Sequence, residues 1–365
     1  LSKGGRLLVV RIAADDVAGD HPIITELPQP RGAVTALALD ALLENLYVGT
    51  ADGQVVHVAL SETESPEMRA AYTVAASSTA VTTLGFLSGD RSLVVMSEDG
   101  AVSTWGLVRR ADAPSGWKLT QIHTFRPHNA PVTAFAPSQR VKGFVTGDMK
   151  GNLFLHHATS SQTLLRLANS ELPIRAVAFA PKGDGLIALD GAGQLSLYQV
   201  QNAYPEVTLE TLFGKVWYEG YDQPAHVWQS SSGSDDVEPK LGLLPLAFGT
   251  LKGTMYALFL AVPIAILAAM CTSQFMHQDL RAKIKPLIEV MAALPTVGLG
   301  FLAGLWLAPL LERMLPAVAG MALVLPLLVV VASFAWYLCP LSVKRHLPQG
   351  QEALLLIPIL GLGIA

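Results

Sequence analysis

Gly298-Leu299-Gly300-Phe301-Leu302-Ala303 has the GxGxxA spacing that cradles a pyrophosphate when a strand precedes it and a helix follows. No strand pattern precedes it here and its surroundings are apolar, so the spacing points to close helix contact instead of a nucleotide. GxxxxGK[ST] is absent, and Gly249-Thr250-Leu251-Lys252-Gly253-Thr254 lacks its spacing, which excludes P-loop ATP hydrolysis by this chain. His156 and His157 are neighbours in a strand pattern, so their side chains point to opposite faces and cannot share a ligand. No CxxC, HExxH or GxSxG signature occurs.

The remaining chemistry lies in apolar sequence. Pro263 and Pro295 interrupt uncharged runs, and each frees a carbonyl that protein or water must satisfy inside a membrane. Pro295 with Thr296, Gly298 and Gly300 is a candidate translocation path, or else a plain kink or helix start. Glu289 stands four residues after Lys285, spaced for an i,i+4 ion pair. It is a candidate for coupling or transport, or an interfacial acid. Lys252 attracts an anion or snorkels to the interface. Gly249-xxx-Gly253 and Gly300-xxx-Gly304 put small residues on one helix face, the pattern of close helix packing.

These residues belong to a membrane-type segment. Residues 253–278 hold 26 positions without Asp, Glu, Lys or Arg, against the ~20 apolar residues that a membrane helix requires. Arg281, Lys283 and Lys285 follow, then a second uncharged run from Val290 to Leu311 and a third from 314 to 343. Three spans are expected, at about 243–275, 290–311 and 314–341. Basic turns at 281–285 and 344–346 then share one side, which the positive-inside rule makes the cytoplasm.

Gly249-Thr250-Leu251, Val262-Pro263, and Ile288-Glu289 with Ala293, Pro295, Thr296, Val297 and Gly300 carry a resemblance. Over about 214–307 the chain resembles the permease subunits of bacterial phosphate ABC importers, most closely the PstC type. The resemblance implies a type I ABC importer permease fold and transport of inorganic phosphate by alternating access. It also implies separate ATPase subunits that bind ATP, a second permease subunit and a periplasmic phosphate-binding protein. No catalytic residue, metal or cofactor of this chain's own is implied, and none of the family's anion-handling residues can be matched. The ATPase-contacting loop is expected beyond Ala365.

The first 200 residues are of another kind. AVTALAL from Ala33, AVTTLGF from Ala80, PVTAFAP from Pro131 and PIRAVAF from Pro173 are one strand repeated. A glycine follows each at the same offset of 19: Val34 to Gly53, Val81 to Gly100, Val132 to Gly151, Ile174 to Gly193. Asp52-Gly53 and Asp99-Gly100 suit tight hairpin turns. Spacings of 47, 51 and 42 approach the ~40–45 residues of a four-stranded propeller blade. With His128 before Val132 and Phe135-Ala136-Pro137, the repeats resemble WD40 blades, although the Trp-Asp dipeptide is missing. Leu7–Ala13 looks like the last strand of an earlier blade.

The expected organisation is multidomain, with a WD40-like all-β propeller, in part, at 1–200 and an aromatic, acidic linker at 201–242. A transmembrane permease domain follows at 243–365. Both ends are expected to be cut from a longer protein. Trp217, Tyr218, Tyr221 and Trp228 in the linker form an interfacial collar or pack beneath the propeller. A net charge of -4 and no basic block argue against nucleic acid. Both cysteines, Cys271 and Cys339, fall in apolar runs. The expected location is the inner membrane, multi-pass, with the propeller in the periplasm. The competing expectation is a membrane-anchored propeller that serves as scaffold or sensor for an envelope protein. An ion-coupled carrier is disfavoured, since the spans hold almost no charge to bind a coupling ion.

Overall fold

In each repeat the second residue is an extra one. A computed structural model describes residues 6–11, 23–60, 66–76, 79–113, 116–229 and 238–338. In it, Thr35, Thr82, Thr133 and Arg175 fall where the first strand of each repeat slips register against the second. A bulge of this kind bends the strand and raises its twist. The Thr133 hydroxyl uses the bend to donate to the Ile174 carbonyl of the next repeat, at 2.6 Å.

Each repeat is an antiparallel meander that resembles a propeller blade. A two-stranded sheet of β1 (Leu8–Arg11) and β2 (Ile23–Glu26) comes first. Blade one is β3 (Val34–Leu39), β4 (Asn45–Thr50), β5 (Gln54–Ala59) and β6 (Glu67–Thr73). Blade two is β7 (Val81–Phe86), β8 (Ser92–Ser97), β9 (Val102–Arg109) and β10 (Trp117–Thr124). Blade three is β11 (Val132–Pro137), β12 (Gly143–Asp148), β13 (Asn152–His157) and β14 (Gln162–Ala168). Blade four has three strands, β15 (Ile174–Phe179), β16 (Gly185–Asp190) and β17 (Leu195–Gln199).

The glycine at offset 19 closes the turn between the second and third strands. At Gly151, φ is +79°, and a Cβ would stand 2.0 Å from the Ser170 carbonyl oxygen. Both the left-handed backbone and the chain running over the turn demand glycine.

Apolar clusters fill the joints between successive sheets. Val55 of blade one meets Val81 and Leu93 of blade two; Val102 meets Phe144; Leu153 meets Ile174 and Leu186. Val55, Val102 and Leu153 are 0, 0 and 1% exposed, whereas Leu195, the corresponding residue of blade four, is 64% exposed. The face that the next blade covers three times is thus uncovered in the fourth among the described residues. Leu153→Ala is expected to cost about 2–5 kcal/mol, and Leu195→Ala within about 0.5 kcal/mol. Denaturant midpoints of the two variants check this contrast.

Residues 201–242, expected as a linker, cluster with the blades in one unit that runs to Gly253. They form α1 (Leu209–Phe213), capped by Thr208 and Thr211, and a short ladder of β18 (Trp228–Gln229) with β19 (Lys240–Leu241). Tyr218 is only 2% exposed, and the Trp217 indole donates to the Tyr221 carbonyl at 2.8 Å. Of the two readings for these aromatics, the collar is corrected for Trp217 and Tyr218, which pack on the blade side. Burying the ring outweighs an interfacial position because the Trp217 N–H finds its partner there.

The second unit, from Thr254, is helical. α2 (Leu244–Met270) crosses the boundary and ends in a π turn, Cys271–Phe275. α3 (Gln278–Ala292), α4 (Thr296–Leu302), a second π turn (Ala303–Leu307), α5 (Ala308–Arg313) and α6 (Leu315–Leu338) follow. Among the described residues, Leu244–Phe275 is one helix long and apolar enough to cross a membrane; Gln278–Ala292 with Thr296–Arg313 adds a second if that bent pair is one span. α6 is the helical part of the third expected span. Cys339 and the basic turn at 344–346 lie outside the described residues.

Candidate functional site

Pro295 governs the geometry of the predicted path. It has no N–H, and its ring pushes the preceding residue out of helical backbone. α3 accordingly ends at Ala292, Pro295 caps α4, and the two directions differ by 86°. The expected continuous span from 290 to 311 is therefore corrected: residues 290–292 finish α3, and the apolar helix beyond starts at Thr296.

The bend separates the candidate path residues. Thr296, Gly298 and Gly300 lie in α4 behind Pro295, while Glu289 lies in the last turns of α3. Gly298, Gly300 and Ala303 stand in a helix and at its C-cap, with helix α3 and no strand before them. A dinucleotide turn has no footing there. Around Gly249, Gly253, Gly300 and Gly304, a Cβ would meet nothing within 4 Å. The closest-approach faces are open among the described residues.

Glu289 shares a concavity of about 430 Å³ with Thr272, Ser273, Arg281 and Lys285, formed where the first π turn meets α3. The Arg281 guanidinium donates to the Ser273 carbonyl. The spacing-based Lys285–Glu289 ion pair is not among the ion pairs that the described residues form. At exposed positions such a pair gains only about 0.3–0.5 kcal/mol, too little to fix two long side chains.

A second polar site lies in the blade unit. Glu238 is 4% exposed, accepts the Thr159 hydroxyl, and accepts the Glu219 amide at 2.9 Å. The Glu219 carboxylate takes the Ser92 hydroxyl at 2.6 Å and the Lys142 ammonium at 2.7 Å. Lys142 also donates to the Ser88 carbonyl. Burial, then the Glu219 charge, pushes the Glu238 carboxyl up to about 7, against the Thr159 and amide hydrogen bonds and Lys142. Arg109 N–H to Asp222 at 2.9 Å and His123 to the Trp217 carbonyl at 3.2 Å extend the same contact. Beside it a cavity of about 260 Å³ is lined by Tyr47, Trp105, Trp217 and Glu238. The side chains satisfy one another, so the cluster clasps Trp217–Asp222 and Glu238 onto blades two and three.

Blade three carries a third network. His128 bonds the Asp148 carboxylate at 3.0 Å and Thr146 at 2.7 Å, and Thr146 bonds His156 at 2.9 Å. His157, facing the other way, bonds Ser160 at 3.0 Å. The histidine pair thus takes separate partners, as the strand alternation requires. Among the described residues no three His, Cys, Asp or Glu side chains converge as metal ligands.

No family model matches the chain. A stretch of 78 residues is 28% identical to the "Probable ABC transporter permease protein YqgH" of Bacillus subtilis (strain 168), covering 21% of this chain and 25% of that relative. The chain therefore matches about a quarter of that relative's length. Among solved structures, the β-propeller domain of Myceliophteria thermophila Cps50 (Swd1) superposes with a TM-score of 0.44 and 18% identity, covering 54% of this chain and 64% of that one. The computationally designed Ika4 protein gives 0.39 and 20%, covering 48% and 96%. The chain accordingly joins blade-like sheets, described above from their own strand order, to a helical region, and has a local likeness to an ABC transporter permease.

Proposed function

We propose that this chain is a permease subunit of an ABC importer for inorganic phosphate, of the PstC type. The observation that carries the reading is the 78-residue likeness to a probable ABC transporter permease, in a chain with a helix at Leu244–Phe275 that is long and apolar enough to cross a membrane. The Gly249-Thr250-Leu251 and Pro295-Thr296-Val297 motifs support phosphate as the cargo. Separate ATPase subunits bind ATP and drive alternating access, since this chain has no P-loop of its own. A second permease subunit pairs with it, and a periplasmic binding protein delivers phosphate. With the basic segment Arg281–Lys285 in the cytoplasm, the chain sits in the inner membrane as a multi-pass protein with its blades in the periplasm. Pro295, Thr296, Gly298 and Gly300 line the path; Gly249, Gly253, Gly300 and Gly304 meet partner helices.

Labelled phosphate uptake at low external phosphate tests this in a strain that lacks every other phosphate importer. Uptake is expected to vanish on deletion of the gene and to return with the intact gene only when its ATPase partner is present. Unchanged uptake on deletion rejects phosphate import.

The uncovered face at Leu195 and Leu197 favours one further reading. There the chain is a membrane-anchored scaffold or sensor whose blades bind an envelope protein. Blade deletion that leaves uptake and binding-protein affinity intact removes docking of the binding protein as the blades' role.

A further inference from the structure

We propose that the concavity between the first π turn and α3 binds the phosphodiester of an anionic phospholipid, fixing α3 in the plane of the membrane surface. The inference rests on the membrane reading above. α3 is a poor span: its 15 residues include Asp279, Arg281, Lys283, Lys285 and Glu289. Leu280, Ile284, Leu287, Ile288 and Met291 recur at i, i+4, i+7, i+8 and i+11, an apolar stripe on a charged helix. Leu287 and Met291 are 59 and 61% exposed, so the described chain leaves that end of the stripe uncovered, while Ile284, half-buried, and Ile288 line the concavity itself. A cationic amphipathic helix of this type lies in the interface with its stripe toward the acyl chains.

The flanking segments demand the same placement. α2 and its π turn bring an apolar run of 32 residues to one end of α3. At the other end Thr296–Arg313 departs at 86°, and spans about 27 Å at ~1.5 Å per residue, close to the hydrocarbon thickness. If both cross the bilayer, α3 between them runs along its surface.

The concavity supplies the headgroup chemistry. Arg281 and Lys285, four residues apart, share it with Glu289. Their charges sum to +1, the complement of one phosphodiester and a poorer match to a phosphate dianion. The Arg281 Nε is withdrawn from solvent without an acceptor, while a second nitrogen of the same guanidinium is held by the Ser273 carbonyl. A buried donor left unmade is costly, and a phosphate oxygen arriving at the guanidinium satisfies it in a fork geometry. The Thr272 and Ser273 hydroxyls already donate to carbonyls of α2, so the cations are the donors. At about 430 Å³ the space is roomier than a single phosphate group and accommodates a glycerol-linked one.

Native mass spectrometry of the full chain in detergent, titrated with dioleoylphosphatidylglycerol or dioleoylphosphatidylcholine, tests the site. The anionic lipid is expected to bind preferentially, and Arg281→Gln or Lys285→Gln to weaken it about fivefold each. Arg313→Gln, outside the concavity, is expected to leave it unchanged, and Arg281→Lys to retain most of the preference. Equal binding of the two lipids, or equal loss in the Arg313→Gln variant, overturns the proposal. Displacement of the lipid by inorganic phosphate overturns it too, in favour of a free-anion site. An unchanged blade melting transition in each variant shows that the fold is intact. Alkaline carbonate separates the two readings: a chain released from membranes defeats the membrane reading, whereas one retained without lipid preference defeats this proposal alone.

Discussion

Acidification from pH 7 to pH 4 is expected to unfold the blade unit cooperatively. Burial holds four imidazoles neutral: His57, His123 and His157 are lowered to about 4 and His156 to about 3. His156 bonds Thr146 and Thr163, and His57 bonds Asn45 at 2.8 Å, in buried sites where water cannot solvate an added charge. Unfolding returns each ring to its ordinary value near 6.5. Between 6.5 and 4 the unfolded chain therefore binds more protons, so stability is complete above 6.5 and falls as the pH drops. At ~1.4 kcal/mol per pH unit per proton, each ring withdraws on the order of 3 kcal/mol. Four such losses approach the ~5–15 kcal/mol that a whole domain has to lose. Glu238 works the other way, gaining on acidification from about 7 downward, but it is one group against four. Far-ultraviolet circular dichroism against pH reads the transition. His157→Gln is expected to make it shallower by about one proton; a native signal at pH 3.5 contradicts the account.

The blades were legible because each blade repeats constraints that only certain residues satisfy. A left-handed turn favours glycine, so Gly53, Gly100, Gly151 and Gly193 keep one offset from the first strand, and the loop that passes over the first three leaves no space for a Cβ. Joints between sheets require apolar residues at matching positions, which Val55, Val102 and Leu153 supply. His156 was harder to read. It occupies the aromatic place that Trp105 fills in blade two, but Thr146 and Thr163, on the two neighbouring strands, reveal it as a hydrogen-bonding residue.

The clasp left no local pattern. Ser92 and Glu219 are 127 residues apart, Thr159 and Glu238 are 79 apart, and serines and acids around Glu238 have the composition of a solvated linker. Nothing in such a window distinguishes a carboxylate that binds a buried lysine from one that faces water. The helical segment shows the same limit at smaller range. The uncharged length of residues 253–278 was enough to find the helix Leu244–Phe275, because bilayer thickness sets it. The stripe Leu280, Ile284, Leu287, Ile288, Met291 was equally present in the residues, yet the three basic side chains made it read as a turn. The extent of the Pro295 break follows from the non-helical backbone that proline imposes on Leu294.

Lys142→Met is expected to destabilise the blade unit by about 3–5 kcal/mol, the cost of leaving a buried charge without its partner. Lys142 is 3% exposed and its ammonium stands 2.7 Å from Glu219, whose amide in turn bonds Glu238. Methionine preserves the length and apolar stem but leaves two carboxylates facing each other in a dry site. Converting Glu219 to Gln in the same chain removes the repulsion, so Lys142→Met with Glu219→Gln is expected to recover most of the loss. The pH dependence separates this from lost packing. The Glu238 carboxyl is already raised to about 7, above its unfolded value, so its contribution is present below that value and is lost as pH rises through 7. Without Lys142 to oppose it the carboxyl rises further, and the variant's deficit is expected to shrink between pH 8 and 6. The histidine contribution, which the unfolded rings begin to withdraw near 6.5, is common to the parent and both variants and cancels in the deficit. Urea midpoints for the two variants and the parent at pH 6, 7 and 8 read the effect; a deficit that is constant with pH would mean that Lys142 acts by packing its stem alone.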